Sequence, residues 1–114
     1  MKDDSVQIRH ILDCIEKIET YTQGGKEVFF ADSMVADAVV RKLQTLAESA
    51  TRVSTELRKR FPEVEWRAMA RFRNVLVHDY LGLDFVRLWN IVTVNLPVLK
   101  QQVKAIRASL STDA

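Results

Sequence analysis

Five residues in this 114-residue chain readily break a helix or force a tight turn: Gly24, Gly25, Pro62, Gly82 and Pro97. A sandwich or barrel needs a turn signal every roughly 8–12 residues, so breakers this sparse leave room only for a few long elements. Between them the apolar residues recur at spacings of three and four, the helical period. The chain is therefore expected to be all-α, one domain over residues 1–114 with a single core.

Four helices are expected. The first runs from Asp3 to about Thr22, with Ile8, Ile11, Leu12, Ile15 and Ile18 on its buried stripe. Asp3 and Asp4 suit its positive end, and Gly24-Gly25 stops it. The second starts near Asp32 or Ser33, either of which can cap it, and continues without a breaker to Arg60. Its stripe is Val35, Val39, Leu43, Leu46, Ala50, Val53 and Leu57. Pro62 can open the third helix, about Glu63 to Tyr80, where Trp66, Met69, Leu76 and Val77 are the expected buried positions. Asp84 can cap the fourth, which carries Phe85, Leu88, Val92, Leu96, Leu99, Val103, Ile106 and Leu110. Helix four is expected to be kinked or broken near Pro97. The architecture is an antiparallel four-helix bundle. Met34 and Val40 on helix two, and Trp89, Ile91, Val94 and Val98 on helix four, lie off the main stripes. They fit either a thicker core or a self-complementary face joining two copies.

A net charge of +2, from 17 basic and 15 acidic residues, does not mark the whole chain as a nucleic-acid binder, but it leaves room for a local basic patch. The one cysteine, Cys14, sits in an ordinary amphipathic stretch and has no partner for an internal disulfide. Met1 is followed by Lys2, Asp3 and Asp4 rather than an apolar leader, and no apolar run is long enough to span a bilayer. A cytoplasmic protein without membrane contact is the expectation. No zinc-type spacing, clustered carboxylate pair, glycine-rich phosphate loop or Ser-His-Asp set is visible, so neither a metal nor a cofactor is expected.

The chemistry concentrates in "RFRNVLVHDY", residues 71–80. At 100° per residue Arg71, Asn74 and His78 line one side of a helix, while Arg73, Val77 and Tyr80 line another. Spacing alone is compatible with a solvated helix end, His78 favoured there by the helix dipole. The residue types also suit phosphodiester chemistry without a metal. Histidine exchanges protons near neutrality, and a guanidinium grips phosphate oxygens through parallel hydrogen bonds.

Arg73-Asn74-x-x-x-His78-x-Tyr80 resembles the signature of the HepT branch of the HEPN superfamily: arginine, four residues, histidine, one residue, tyrosine. "FPEVEW" before it, "DYLGLD" after it and "LWNIV…LPVLK" further on resemble HepT-like chains in the same order. In helix two, "LAESA" resembles a segment that commonly reads Gly-Glu-Ala. Here Ala47 replaces the glycine and Ser49 precedes the alanine, while Glu48 is kept. That departure touches helix packing and a dimer contact rather than the motif. The resemblance extends from helix one to about Lys104.

The resemblance implies a HEPN-type bundle and the toxin half of a type VII toxin–antitoxin module. It implies a metal-independent endoribonuclease, transfer RNA among its targets, whose composite site forms where two protomers join their motif helices. On this sequence His78 would be the general acid or base, and Arg73 would bind the scissile phosphate. Asn74 would orient a phosphate or the imidazole. The partner would be a nucleotidyltransferase of the MNT type, MntA, transferring AMP onto Tyr80. Arg71 lies outside the motif but is placed to contact backbone phosphate, and Arg58-Lys59-Arg60 is either an extension of that track or a solvated helix end. Asp79, His10, Trp66 and Trp89 receive no role in the chemistry. The alternatives are a non-catalytic helical partner that presents nucleotide or substrate to the transferase, and a module in which the helical protein neutralises a harmful transferase.

Overall fold

The computed structural model of the chain describes the backbone over residues 2–113, and the side chains over residues 3–112 other than Tyr80. Its elements are α1 (Lys2–Tyr21), α2 (Gly25–Ala31), α3 (Ser33–Thr51), α4 (Thr55–Arg60), α5 (Trp66–His78), α6 (Phe85–Asn90) and α7 (Leu96–Asp113). A single 3-10 turn, Tyr80–Gly82, follows α5, and a π turn, Ile91–Asn95, joins α6 to α7. Among the described residues there is no strand. No helix among them is long and apolar enough to cross a membrane.

The amphipathic stripes decide the packing. Ile8, Ile11, Leu12, Ile15 and Ile18 are all buried, as the spacing predicts, and α1 lies between α3 and α7. Each fully buried aliphatic side chain of this size contributes roughly 1.5–3 kcal/mol. Asp4 at the start of α1 bonds Ser54 beyond the end of α3, and Glu19 near the end of α1 pairs with Lys100 near the start of α7 at 2.9 Å. These contacts set α1 antiparallel to both. On its other side α3 packs against α5. Cys14 is buried in the same core, and burial pushes its thiol above the ordinary range, as suits a packing residue.

The structure departs from the four-helix reading in three places. First, the expected connection after Gly24-Gly25 contains α2. Gly25 turns the chain with φ +84°, and α2 then buries Phe29 against Trp89 and Phe85, with ring centroids 5.2 and 6.2 Å away. Second, the helix expected from Asp32 to Arg60 divides. Asp32 caps α3 by accepting from the Met34 amide at 2.9 Å, but α3 stops at Thr51. Ser54 then caps α4, its Oγ accepting from the Leu57 amide at 3.2 Å. The buried Asp4 carboxylate accepts from the Ser54 amide at 2.8 Å and from its hydroxyl at 2.7 Å, so a residue 50 positions earlier pins this break.

Third, α5 begins at Trp66 and not at Pro62, because Trp66 Nε1 donates back to the Phe61 carbonyl at 2.9 Å and holds residues 61–65 in a compact turn. It ends at His78, so Tyr80 belongs to the following turn and not to the helix. The interruption expected near Pro97 is present. The irregularity falls just before it as the π turn, closed by the Leu96 amide donating to the Ile91 carbonyl, and Pro97 enters the first turn of α7, where an amide is not required. Of the residues off the main stripes, Val40 is buried and Trp89 packs on the core, whereas Met34, Val94 and Val98 are exposed.

Candidate active site

Helix α5 faces α3 through Met69, Phe72 and Leu76, spaced at three and four, with Leu76 buried. That anchorage fixes the rotation of the motif helix. It turns Arg71, Asn74 and His78 outward, and all three are exposed. Val77, expected in the core, is exposed as well, because Leu76 takes the position facing α3 and Val77 lies a full 100° further round.

Arg73 occupies the seam between the two helices. Its Nε donates to Glu48 Oε2 on α3 at 2.7 Å, and its Nη2 donates to Glu48 Oε1 at 3.3 Å. A third donor, Nη1, reaches Asn74 Oδ1 at 3.1 Å. A guanidinium has five N–H groups, so this arrangement engages three and leaves one each on Nη1 and Nη2. Glu48 holds the side-on edge, which leaves the terminal end of the fork to an oxyanion. The hydrogen bonds from Arg73 hold the Glu48 carboxyl below the usual carboxylate range, and the same bonds raise the guanidinium above its ordinary value. Arg52, one helical turn from Glu48, lies 3.9 Å from the same carboxylate.

Glu48 is the residue the sequence reading left out of the site, although "LAESA" had singled it out as kept. A carboxylate on a different helix, 25 residues away, shows no spacing relation to the motif. Its neighbours in that segment, Ala47 and Ser49, are both buried, which agrees with the packing role read for them.

Arg73 and Val77 form one wall of a groove of about 490 Å³ between α1, α3 and α5. His78 follows directly on Val77, where α5 ends. Within one chain, then, Arg73 is fixed in the groove while His78 projects at the helix end, and Asn74 bonds Arg73. The backbone of Tyr80 lies in the turn two residues on, and its side chain lies outside the described residues. Among the described residues no group of three or more His, Cys, Asp and Glu side chains is placed to hold a metal ion.

The sequence pattern of the family described as "Ribonuclease HepT-like" matches residues 11–106. A Thermococcus cleftensis protein named "Probable ribonuclease HepT" is 34% identical over 101 residues, covering 88% of this chain and 92% of that protein. A Caldanaerobacter subterraneus protein named "Putative RNase" is 31% identical over 107 residues, covering 93% and 96%. A Methanocaldococcus jannaschii protein named "Gamma-glutamylcyclotransferase and putative RNase" is 32% identical over 110 residues. That match takes in 96% of this chain but spans only 50% of the longer protein. No solved structure matches the chain significantly.

Proposed function

The chain belongs to the Ribonuclease HepT-like family, and on that premise we propose that it is a metal-independent endoribonuclease, the toxin half of a type VII toxin–antitoxin module. The observation that carries this reading is the fixed Arg73 guanidinium. It sits in the wall of a groove beside Val77, the residue before His78, with two N–H groups left to grip a phosphate.

The chemistry follows from the side chains. A base takes the proton of the ribose 2′-hydroxyl, and that oxygen attacks the adjacent phosphorus. The bond to the 5′ oxygen breaks as an acid protonates the leaving group, giving a 2′,3′-cyclic phosphate and a 5′-hydroxyl. Arg73 stabilises the charge that builds on the non-bridging oxygens. Base and acid act on opposite sides of the phosphorus, and the motif of one chain supplies one imidazole, the exposed His78. Two copies meeting at their α5 ends would supply a His78 for each task, which is the reason for reading the active form as a homodimer with a composite site. Asn74 orients Arg73 in this account, and Arg71 contacts backbone phosphate. The partner is an MNT-type nucleotidyltransferase that transfers AMP to Tyr80, placing a bulky phosphate where RNA would lie. The RNA target is transfer RNA, and the setting is cytoplasmic.

The test is digestion of total RNA by the purified, unmodified protein in EDTA, beside His78→Ala and Arg73→Ala. Specific fragments from the wild type alone are expected. Intact RNA in every lane, with Tyr80 confirmed free of nucleotide by mass, overturns the ribonuclease reading in favour of a helical binding partner of the transferase. Activity lost to EDTA and restored by zinc or magnesium overturns the metal-independent mechanism.

A further inference from the structure

The groove beside Arg73 carries more charge than the motif accounts for. Besides Arg73 and Val77 its described lining includes His10 of α1, Arg41 and Gln44 of α3 and Arg52 just past the end of α3, with Glu48 as the single carboxylate among them. Three guanidiniums against one carboxylate leave a surplus of two positive charges, equal to the net +2 of the whole chain. That carboxylate is already engaged by Arg73 at 2.7 Å, with Arg52 at 3.9 Å. Arg41 and Arg52 are exposed, so their charges are available to a ligand lying in the groove.

Arg41, Thr45, Glu48 and Arg52 follow one another at four, three and four residues, so α3 and Arg52, which caps its end with helical backbone angles, present them as a continuous row. From Arg41 to Arg52 the row is about 16 Å long at the helical rise. At about 3.4 Å per stacked nucleotide that length holds about five nucleotides. Among the described residues no aromatic side chain lines the groove, so they offer no platform on which bases could stack. Those residues suit recognition of phosphate, and Val77 in the groove wall directly precedes His78.

We propose that Arg41 and Arg52 bind the phosphates of single-stranded RNA flanking the cleaved bond, making the α1–α3–α5 groove the substrate track, with His10 at its far wall. This rests on the ribonuclease reading above. Binding of this kind depends steeply on salt and little on base sequence.

The test uses a fluorescent 2′-O-methyl oligoribonucleotide, which binds but lacks the attacking hydroxyl, with anisotropy measured across a salt series. Cleavage of the ordinary RNA is followed in parallel. Against wild type, the double variant Arg41→Gln/Arg52→Gln is expected to bind about tenfold more weakly, and the slope of log affinity on log salt is expected to shrink by about 1 to 1.5. Arg41→Lys/Arg52→Lys keeps the charge and is expected to keep the slope, as is Arg107→Gln, which removes a charge outside the groove. A wild-type slope in the glutamine pair, with RNA cleavage intact in the wild type, overturns the track alone. Equal losses in the lysine and glutamine pairs overturn it too, since charge would not be the cause. A wild type that binds but does not cleave ordinary RNA overturns the ribonuclease reading and leaves the groove as a binding site. Absence of both overturns the two together.

Discussion

Glu48 on α3 holds Arg73 on α5 by its side-on edge, Oε2 to Nε at 2.7 Å and Oε1 to Nη2 at 3.3 Å. The pair ties the motif helix to its neighbour and aims the terminal end of the guanidinium into the groove. A salt bridge about one-third exposed on both sides adds little to stability. Its consequence is orientation. An arginine without that partner samples many rotamers and meets a phosphate in the right pose less often.

Glu48 is thus expected to act as a positioning residue. Glu48→Gln should lower kcat for RNA cleavage by between about tenfold and a hundredfold, with a smaller change in KM and an unchanged unfolding midpoint. Glu48→Asp should recover part of the loss. A fall confined to KM, or one matched by a drop in thermal stability, would count against positioning.

The same pair has a pH signature. Glu48 is held below its unfolded value by hydrogen bonds from Arg73, so the pair's contribution is complete above the ordinary glutamate range near about pH 4.3 and is lost as pH falls through the lower folded value. A carboxyl-carbon NMR titration should place Glu48 below the ordinary glutamate value, and Arg73→Ala should return it toward that value. A Glu48 midpoint indifferent to Arg73→Ala would break the assignment.

Ser54 serves two contacts at once, capping α4 and satisfying the buried Asp4 carboxylate. Ser54→Ala removes the cap and takes the hydroxyl donor away from Asp4. The expected loss of unfolding free energy is ~2 kcal/mol, seen in denaturant titration as a lower midpoint at constant slope. Ser54→Asp would restore the cap but set a second carboxylate against Asp4, and should be at least as damaging. A midpoint unmoved by Ser54→Ala would show that the break between α3 and α4 does not depend on this relay.

On the proposed control by AMP transfer, Tyr80→Phe lacks the acceptor oxygen and should cleave RNA like wild type while escaping the transferase. Incubation with the MNT-type partner and ATP, followed by mass measurement and a cleavage assay, decides it. Silencing of Tyr80→Phe as complete as that of the wild type would remove Tyr80 as the control point.

Much of the bundle was legible because it is local. Ile8, Ile11, Leu12, Ile15 and Ile18 are buried because a helix with that period has one face to hide, whatever covers it. Asp32 and Asp84 cap their helices through amides two and three residues away, which a short window contains. Arg71, Asn74 and His78 were read as sharing one side of the motif helix, and all three are exposed.

What the amino-acid order alone did not decide depends on distant partners. No glycine or proline marks the end of α3; the break sits where Asp4 reaches Ser54 from the first turn of α1. Phe29 makes a helix of an expected connection because Phe85 and Trp89 are there to receive it. Val77 is exposed and Arg73 is oriented because α5 is rotated by the burial of Leu76 against α3, which sets Glu48 opposite Arg73. Periodicity tells a helix which face to bury. Only the register between packed helices decides which side chain meets which, and at Arg73 that meeting makes the site.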